Sequence, residues 1–273
     1  MDLDATLARL AADPDAPVDL AEVALHLAQD EYPDLDIPTY LARLDAFADA
    51  IPIPTAGPLA VRVTELCHYL FEEEGFVGNA EDYYDARNSY LNDVLDRKLG
   101  IPITLSLLAM TVGERCGLTI VGVGLPGHFV AKAVDGGDEV LFDPFNGGQL
   151  LDREACSALV EAVTGRPFSA TDAALAATPP GAVVHRMLNN LKGTYLRAPD
   201  YARAARVTAR LVQLAPGDPT QRRDLGVTLV HAGQHGRAID HLRAYLDAVP
   251  AADDTQVVEE FLKEASHQVA RWN

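Results

Sequence analysis

A chain of 273 residues with 48% hydrophobic and 23% charged side chains has enough apolar material for one large packed domain or two ordinary ones. Its formal net charge of −18 repels phosphate, which argues against nucleic acid as the main partner. No apolar run approaches the ~18 residues needed to cross a bilayer, and the acidic start MDLDATLARLAADPDAP does not read as a signal or transit peptide, so no membrane partner and a cytoplasmic location are expected. The charge is unevenly spread. Residues 1–99 carry 21 acidic and 6 basic side chains, whereas residues 181–273 carry 10 and 12.

Residues 2–12, 18–30, 38–50 and 58–73 each repeat apolar side chains at three- and four-residue spacing, which predicts four helices. Leu20, Val23, Leu25 and His26 form one such stripe, and Val61, Val63, Leu66, Leu70 and Phe71 another. Asp15 before Pro17, Pro38 with Thr39, and Pro58 mark helix starts. The run Glu72-Glu73-Glu74-Gly75 reads as a solvated helix end, although acids there oppose the helix dipole. Residues 88–99 predict a further helix stopped by Gly100. From Ile101 through Val112 the chain is apolar nearly all round, the pattern of a central buried helix, and Gly117 ends it.

Beyond Leu118 the period changes to two. Residues 119–123, 129–134 and 139–142 predict three strands, joined at Gly124-Leu125-Pro126-Gly127 and at Asp135-Gly136-Gly137-Asp138 as an antiparallel meander. Residues 152–164 return to helix, and Thr178-Pro179-Pro180-Gly181 is the best linker candidate. In the last 90 or so residues Leu191, Tyr195, Ala204 and Pro216 recur 34 positions on as Leu225, Leu229, Ala238 and Pro250. Small residues where paired helices approach, large apolar ones between them, and a closing proline make a tetratricopeptide (TPR) pattern. Gly226 and Gly233 strengthen the second copy, Lys192 weakens the first, and a final helix is expected near residues 255–272. The chain thus divides into a helical section over 1–80, an α+β core over 81–178 and helical repeats over 182–273.

Chemistry-bearing residues gather in the middle section. His128 opens one strand and Asp143 closes the next, so antiparallel pairing brings an imidazole beside a carboxylate that fixes its tautomer. Cysteine acyl-transfer enzymes set their thiol at a helix N-terminus, where the dipole and a nearby imidazolium favour thiolate. Here the helix start carries Pro102, which has neither thiol nor backbone N–H. Thr104 and Ser106 are the substitutes within reach, though hydroxyls near a helix start more often serve the backbone. Cys116 lies about four turns, or ~21 Å, further along the same helix, too far to serve. Cys67, Cys116 and Cys156 are widely separated and lack metal spacing, so free buried thiols are expected rather than disulfides or zinc. His231 and His235 are four apart but lack a third ligand, so no metal and no cofactor is expected.

The strings NSYLNDVLDRKLGIPITLSLL, VGVGLPGHFVAKA and LFDPFNGGQLL, in this order, resemble the transglutaminase-like core of the SirB-type family. Bacterial members join this core to C-terminal TPR repeats and are described as regulators of sirC expression, and a related core occurs in an F-box protein. The resemblance spans roughly residues 35–165 for the core and 185–250 for the repeats. It implies a papain/transglutaminase-like α+β fold in which Gly100-Ile101-Pro102 falls on the family's G-x-C, His128 on its strand histidine and Asp143-Pro144 on its D-P. Two of three triad members are then present, with the thiol replaced. The implied cleft includes Asn88, Asn92, Pro102, Pro126, Gly127 and Phe145, with Arg87 nearby. A protein or peptide bound without catalysis is the expected role. The alternative is a hydrolase, amidase or acyltransferase using Thr104 or Ser106 with His128 and Asp143.

Overall fold

The computed structural model describes residues 1–54 and 57–271; Trp272, included in the expected last helix, lies outside the described residues. The chain forms two compact units, Pro17–Val184 with Met1, and Asp2–Ala16 with the chain from His185 onward. Helix α1 (Leu3–Ala12) falls in the second unit.

In the first unit α2 (Leu20–Ala28), α3 (Ile37–Ala50), α4 (Leu59–Cys67) and α5 (Leu91–Arg97) all pack on α6 (Pro102–Arg115). Every residue from Pro102 through Gly113 is buried, which is why the sequence there shows no polar stripe. The strands β1 (Val77–Gly78) and β2 (Leu99–Gly100) pair in parallel just ahead of α6. After it come β3 (Thr119–Leu125), β4 (His128–Asp135), β5 (Asp138–Asp143) and β6 (Gln149–Leu151), an antiparallel sheet in sequence order. One face of this sheet lies on α6. A Cβ at Gly113 would lie 2.3 Å from Ile120 Cδ1, so the glycine leaves the space that the Ile120 side chain fills against the helix. The other face packs Val123, Leu125 and Val130 against Cys156 and Val160 of α7 (Arg153–Thr164).

Three local expectations are corrected. Residues 88–99 do not form one helix stopped by Gly100. A 3₁₀ turn at Ala86–Asn88 precedes α5, and Lys98 ends α5 in the left-handed region at φ 61°. A non-glycine residue there needs compensation. Lys98 pairs with Glu74 and its ammonium lies over the Phe47 and Phe76 rings, at 5.1 and 4.4 Å from their centroids. Glu74 is therefore a structural partner rather than a solvated helix end, while Glu72 and Glu73 engage His68 at the surface. Nor is the segment at residues 178–181 a free linker. Thr178 donates its N–H to the Gly122 carbonyl at 2.8 Å and accepts from the Gly124 N–H at 2.9 Å, covering the edge of β3. Pro180 then begins α8 (Pro180–Arg197).

The second unit continues through α9 (Tyr201–Leu214), α10 (Pro219–His231), α11 (His235–Ala248) and α12 (Thr255–Ala270). The repeat positions Leu191, Tyr195, Ala204, Leu225, Leu229 and Ala238 are all buried. Lys192, at the degenerate glycine position, extends to Asp224 at 2.9 Å instead of opening a gap. Helix α1 packs on α9, with Leu7 and Leu10 buried and Asp4 paired with Arg210, so it does not join the other helices of residues 1–80. Its apolar stripe shows that it must be covered but carries no sign of what covers it. Among the described residues no helix is long and apolar enough to cross a membrane.

Gly226 of α10 faces Leu242 of α11 so closely that an added Cβ would sit 2.6 Å from two of its carbon atoms. A helical Gly→Ala exchange ordinarily gains about 1 kcal/mol, but overpacking a closed core costs roughly 1–3 kcal/mol. Gly226→Ala is expected to lower the melting temperature; a rise would mean Leu242 yields freely.

Candidate functional site

Leu125 pairs with His128 across a two-residue turn, where Pro126 supplies a fixed φ and Gly127 a φ of +71°. This turn puts His128 at the very start of β4, and β5 returns beside it to end on Asp143. His128 Nε2 and Asp143 Oδ2 stand 2.9 Å apart, with side-chain exposures of 5% and 1%. Asp143 Oδ2 also accepts from Asn146 Nδ2 at 2.7 Å, and its Oδ1 accepts from the Phe145 N–H at 3.0 Å. The carboxylate is thereby held by three donors, two of them from the 3₁₀ turn Pro144–Asn146 that it caps. Because Asp143 takes Nε2, proton exchange with any other group would run through Nδ1.

That turn packs on α6 and on β1. The Phe145 ring stands edge-on to the His128 imidazole, with centroids 5.8 Å apart, and Tyr83 stands edge-on to Phe145 at 6.3 Å. Gly78 abuts the same turn: a Cβ there would lie 2.5 Å from the Phe145 carbonyl oxygen. Phe145 is half-buried, whereas Pro126 and Gly127 are exposed.

At the head of α6, Pro102 occupies the first helical position, where its missing N–H costs no helical bond. Ile101 precedes it and brings no side-chain acceptor. Thr104 Oγ1 serves instead, accepting from the Ile101 N–H at 3.0 Å and donating to the Asn88 carbonyl at 2.8 Å. Ser106 Oγ donates to the Phe129 carbonyl at 3.3 Å, linking the second turn of α6 to the residue after His128. Both hydroxyls are 0% exposed. Each ties the helix start to a neighbouring backbone segment, the work expected of such residues when they are structural.

Asn88 is fully enclosed, its Nδ2 donating to the Asp82 carbonyl at 2.7 Å and its Oδ1 accepting from Asn79 at 3.1 Å. Asn92 is buried too, and its Oδ1 takes no hydrogen bond among the described residues. Arg87 is exposed and engaged with Asp85, whose carboxyl sits below its usual range because the hydrogen bonds and charges of Arg87 and Arg97 outweigh the opposing effect of burial. Sequence reasoning missed Asn146 as a partner of Asp143, Tyr83 behind Phe145, and the approach of Gly78. Only the D-P-F-N turn pattern hinted at the first.

No thiol here is activated. Burial pushes Cys67 up to about 12, and raises Cys116 and Cys156 as well, with the nearby acids Asp49, and Asp152 and Asp143, adding to the effect. Cys67 does lie against the turn that follows Asp143, since a Cβ at Gly148 would meet its Sγ at 2.6 Å. Its surroundings favour the neutral, unreactive form. The His231 ring stacks on Tyr201 at 4.6 Å, and among the described residues no group of three or more His, Cys, Asp or Glu is arranged to hold a metal.

A buried helix packed between helices and an antiparallel sheet, followed by paired helical repeats, is an α+β architecture of the papain/transglutaminase-like class. The chain belongs to the transglutaminase-like superfamily, whose profile matches residues 38–189, and a tetratricopeptide repeat profile matches residues 191–263. It is 34% identical to a UPF0162 protein of Xylella fastidiosa strain Temecula1 over 266 residues, covering 95% of this chain and 94% of the relative. A UPF0162 protein of Vibrio cholerae is 26% identical over 198 residues, 72% of this chain and 73% of its own length. F-box only protein 21 of Mus musculus is 34% identical over 111 residues, 37% of this chain and 18% of its own. No solved structure matches the chain.

The buried thiols set a pH dependence. Cys67 moves from 9.0 in an open chain to about 12 in the fold, so its contribution to stability is intact below pH 9 and is lost as pH rises from 9 toward 12. At pH 8 iodoacetamide should alkylate native Cys67 about a thousandfold more slowly than the unfolded chain, read by peptide mass spectrometry. Equal rates would show that the fold does not suppress this thiol.

Proposed function

We propose that this protein is a non-catalytic transglutaminase-like module that binds a protein or peptide, through its repeats and the region around His128, and acts as a cytoplasmic regulator of the SirB type. A link to sirC expression, as described for that family, is part of this proposal. The observation that carries it is the head of α6. By the resemblance, Pro102 falls on the family's cysteine position, and the hydroxyls of Thr104 and Ser106 are buried and bonded to backbone carbonyls. Raised thiols leave no sulfur to replace it. A catalytic group must reach the reacting atom before its acidity matters.

Binding has support in the second unit. Leu196, Val227, Val257, Val258 and Phe261 line a cavity of about 270 Å³ together with Arg223, Asp224 and Asp254. Leu196 and Val257 expose 40% and 53% of their surface there. TPR repeats generally mediate protein interactions, and a concave apolar site with a few polar groups suits a side chain presented by a partner. The intact His128–Asp143 contact keeps one alternative open, a hydroxyl-dependent hydrolase, amidase or acyltransferase.

Two measurements on the full chain separate these readings. A fluorophosphonate probe is expected to label neither Thr104 nor Ser106; labelling that His128→Ala abolishes would establish the hydrolase. Co-purification with mass spectrometry is expected to recover a protein partner, with recovery reduced at least severalfold by Val257→Glu. Failure to recover any partner with the unaltered chain would reject the binding module.

A further inference from the structure

We infer that the cavity between α8, α10 and α12 receives one uncharged apolar side chain, leucine or phenylalanine in size, from a partner segment whose main chain passes over Gly193. The inference rests on the binding reading above and deepens it by naming what the cavity takes. The repeat register builds the wall. Val227 of α10 and Phe261 of α12 line the cavity and stand 34 residues apart, and the position 34 residues before Val227 is Gly193 of α8. Gly193 lies three residues before Leu196, which α8 contributes to the lining, so the two share one face of the helix. Where the later copies carry a large apolar side chain, the first carries none.

Neither packing nor backbone conformation requires this glycine. Its φ is not positive, and a Cβ built on it meets nothing within 4 Å among the described residues. Gly226 differs, because Leu242 crowds it. A glycine inside a helix weakens the helix; what this one leaves is an open approach for an incoming backbone.

The ions of the lining are already matched. Arg223 pairs with Asp224 and with Asp254, at 2.7 Å each. Lys192 takes the other oxygen of Asp224 at 2.9 Å, and the Tyr245 hydroxyl donates to Asp254 at 2.6 Å. Two cations against two carboxylates leave no net charge, so a charged side chain entering the cavity would displace a bonded partner or stay unpaired. An apolar one covers Leu196 and Val257, which expose 40% and 53% of their surface. A volume of about 270 Å³ holds one such side chain and not a folded segment, so the rest of the partner runs outside it, on the side that Gly193 keeps open.

Capped heptapeptides Gly-Ser-Gly-X-Gly-Ser-Gly, with X leucine, phenylalanine, serine, lysine or glutamate, test the inference when titrated into the isotope-labelled full chain and followed by NMR. The leucine and phenylalanine peptides should bind at about millimolar Kd, about tenfold or more tighter than the other three, and shift the amide signals of Val227, Val257 and Phe261. Val257→Glu, at an exposed position, should abolish that binding. Gly193→Ala should raise the melting temperature by about 2–4 °C, whereas Gly193→Leu should weaken the leucine peptide about fivefold or more. A lower melting temperature for Gly193→Ala, or unchanged binding by Gly193→Leu, would overturn the approach over Gly193. Absence of leucine and phenylalanine binding up to ~5 mM, or equal binding of the lysine or glutamate peptide, would overturn the apolar occupant. A dimer in sedimentation that Val257→Glu disperses would assign the cavity to a second copy of the chain and overturn the inference as well. In each of these cases, partner recovery that depends on Val257 would leave the binding module standing.

Discussion

The first unit depends on the enclosure of α6. A helix with no polar stripe is unstable unless every side is covered, and here Pro102 through Gly113 are buried by four helices and a sheet. That requirement governs details elsewhere. Gly113 leaves room for the Ile120 side chain of β3 against the helix, and the two-residue ladder of β1 and β2 delivers the chain to Ile101. Lys98 supports that delivery in a left-handed conformation, held by Glu74 and two aromatic faces.

Enclosure also explains how the head of α6 has settled. A buried helix end leaves backbone groups that need partners. Proline removes one donor at the first position, and Thr104 supplies the Ile101 N–H with an acceptor while binding the Asn88 carbonyl. Ser106 then joins α6 to β4 beside His128. Both hydroxyls are thus engaged with the backbone of neighbouring segments. The His128–Asp143 contact is equally integrated, because Asp143 caps the turn whose Phe145 ring covers the imidazole. Such an arrangement leaves the pair largely closed to solvent.

The second unit shows the opposite regime. Its helices stack by nearest-neighbour contacts, so each pair needs only its adjoining surfaces to match. Gly226 against Leu242 is one such match, and Lys192 reaching Asp224 is a local repair of a degenerate position. Helix α1, from the opposite end of the chain, covers α9 in the same way.

Periodicity in the sequence was sufficient to locate nearly all the helices and the three-stranded meander, because burial on one face imposes a period on local residue choice. The repeats were legible for the same reason, and the Pro-Gly and Gly-Gly turns because few residues tolerate those conformations. The adjacency of His128 and Asp143 followed from strand pairing alone. What the sequence did not reveal were contacts between residues distant along the chain. Lys98 with Glu74, α1 on α9, Thr178 on the edge of β3, the Phe145 ring edge-on to His128 and Tyr83 edge-on to Phe145 leave no periodic trace, since each involves one position matched to one partner. Local pattern therefore determined most of the elements and the pair, but not the short strands β1, β2 and β6, which are defined by their partners; only tertiary packing decided those strands, how deeply the pair is buried, what the hydroxyls of Thr104 and Ser106 are bound to, and which ring stands beside it.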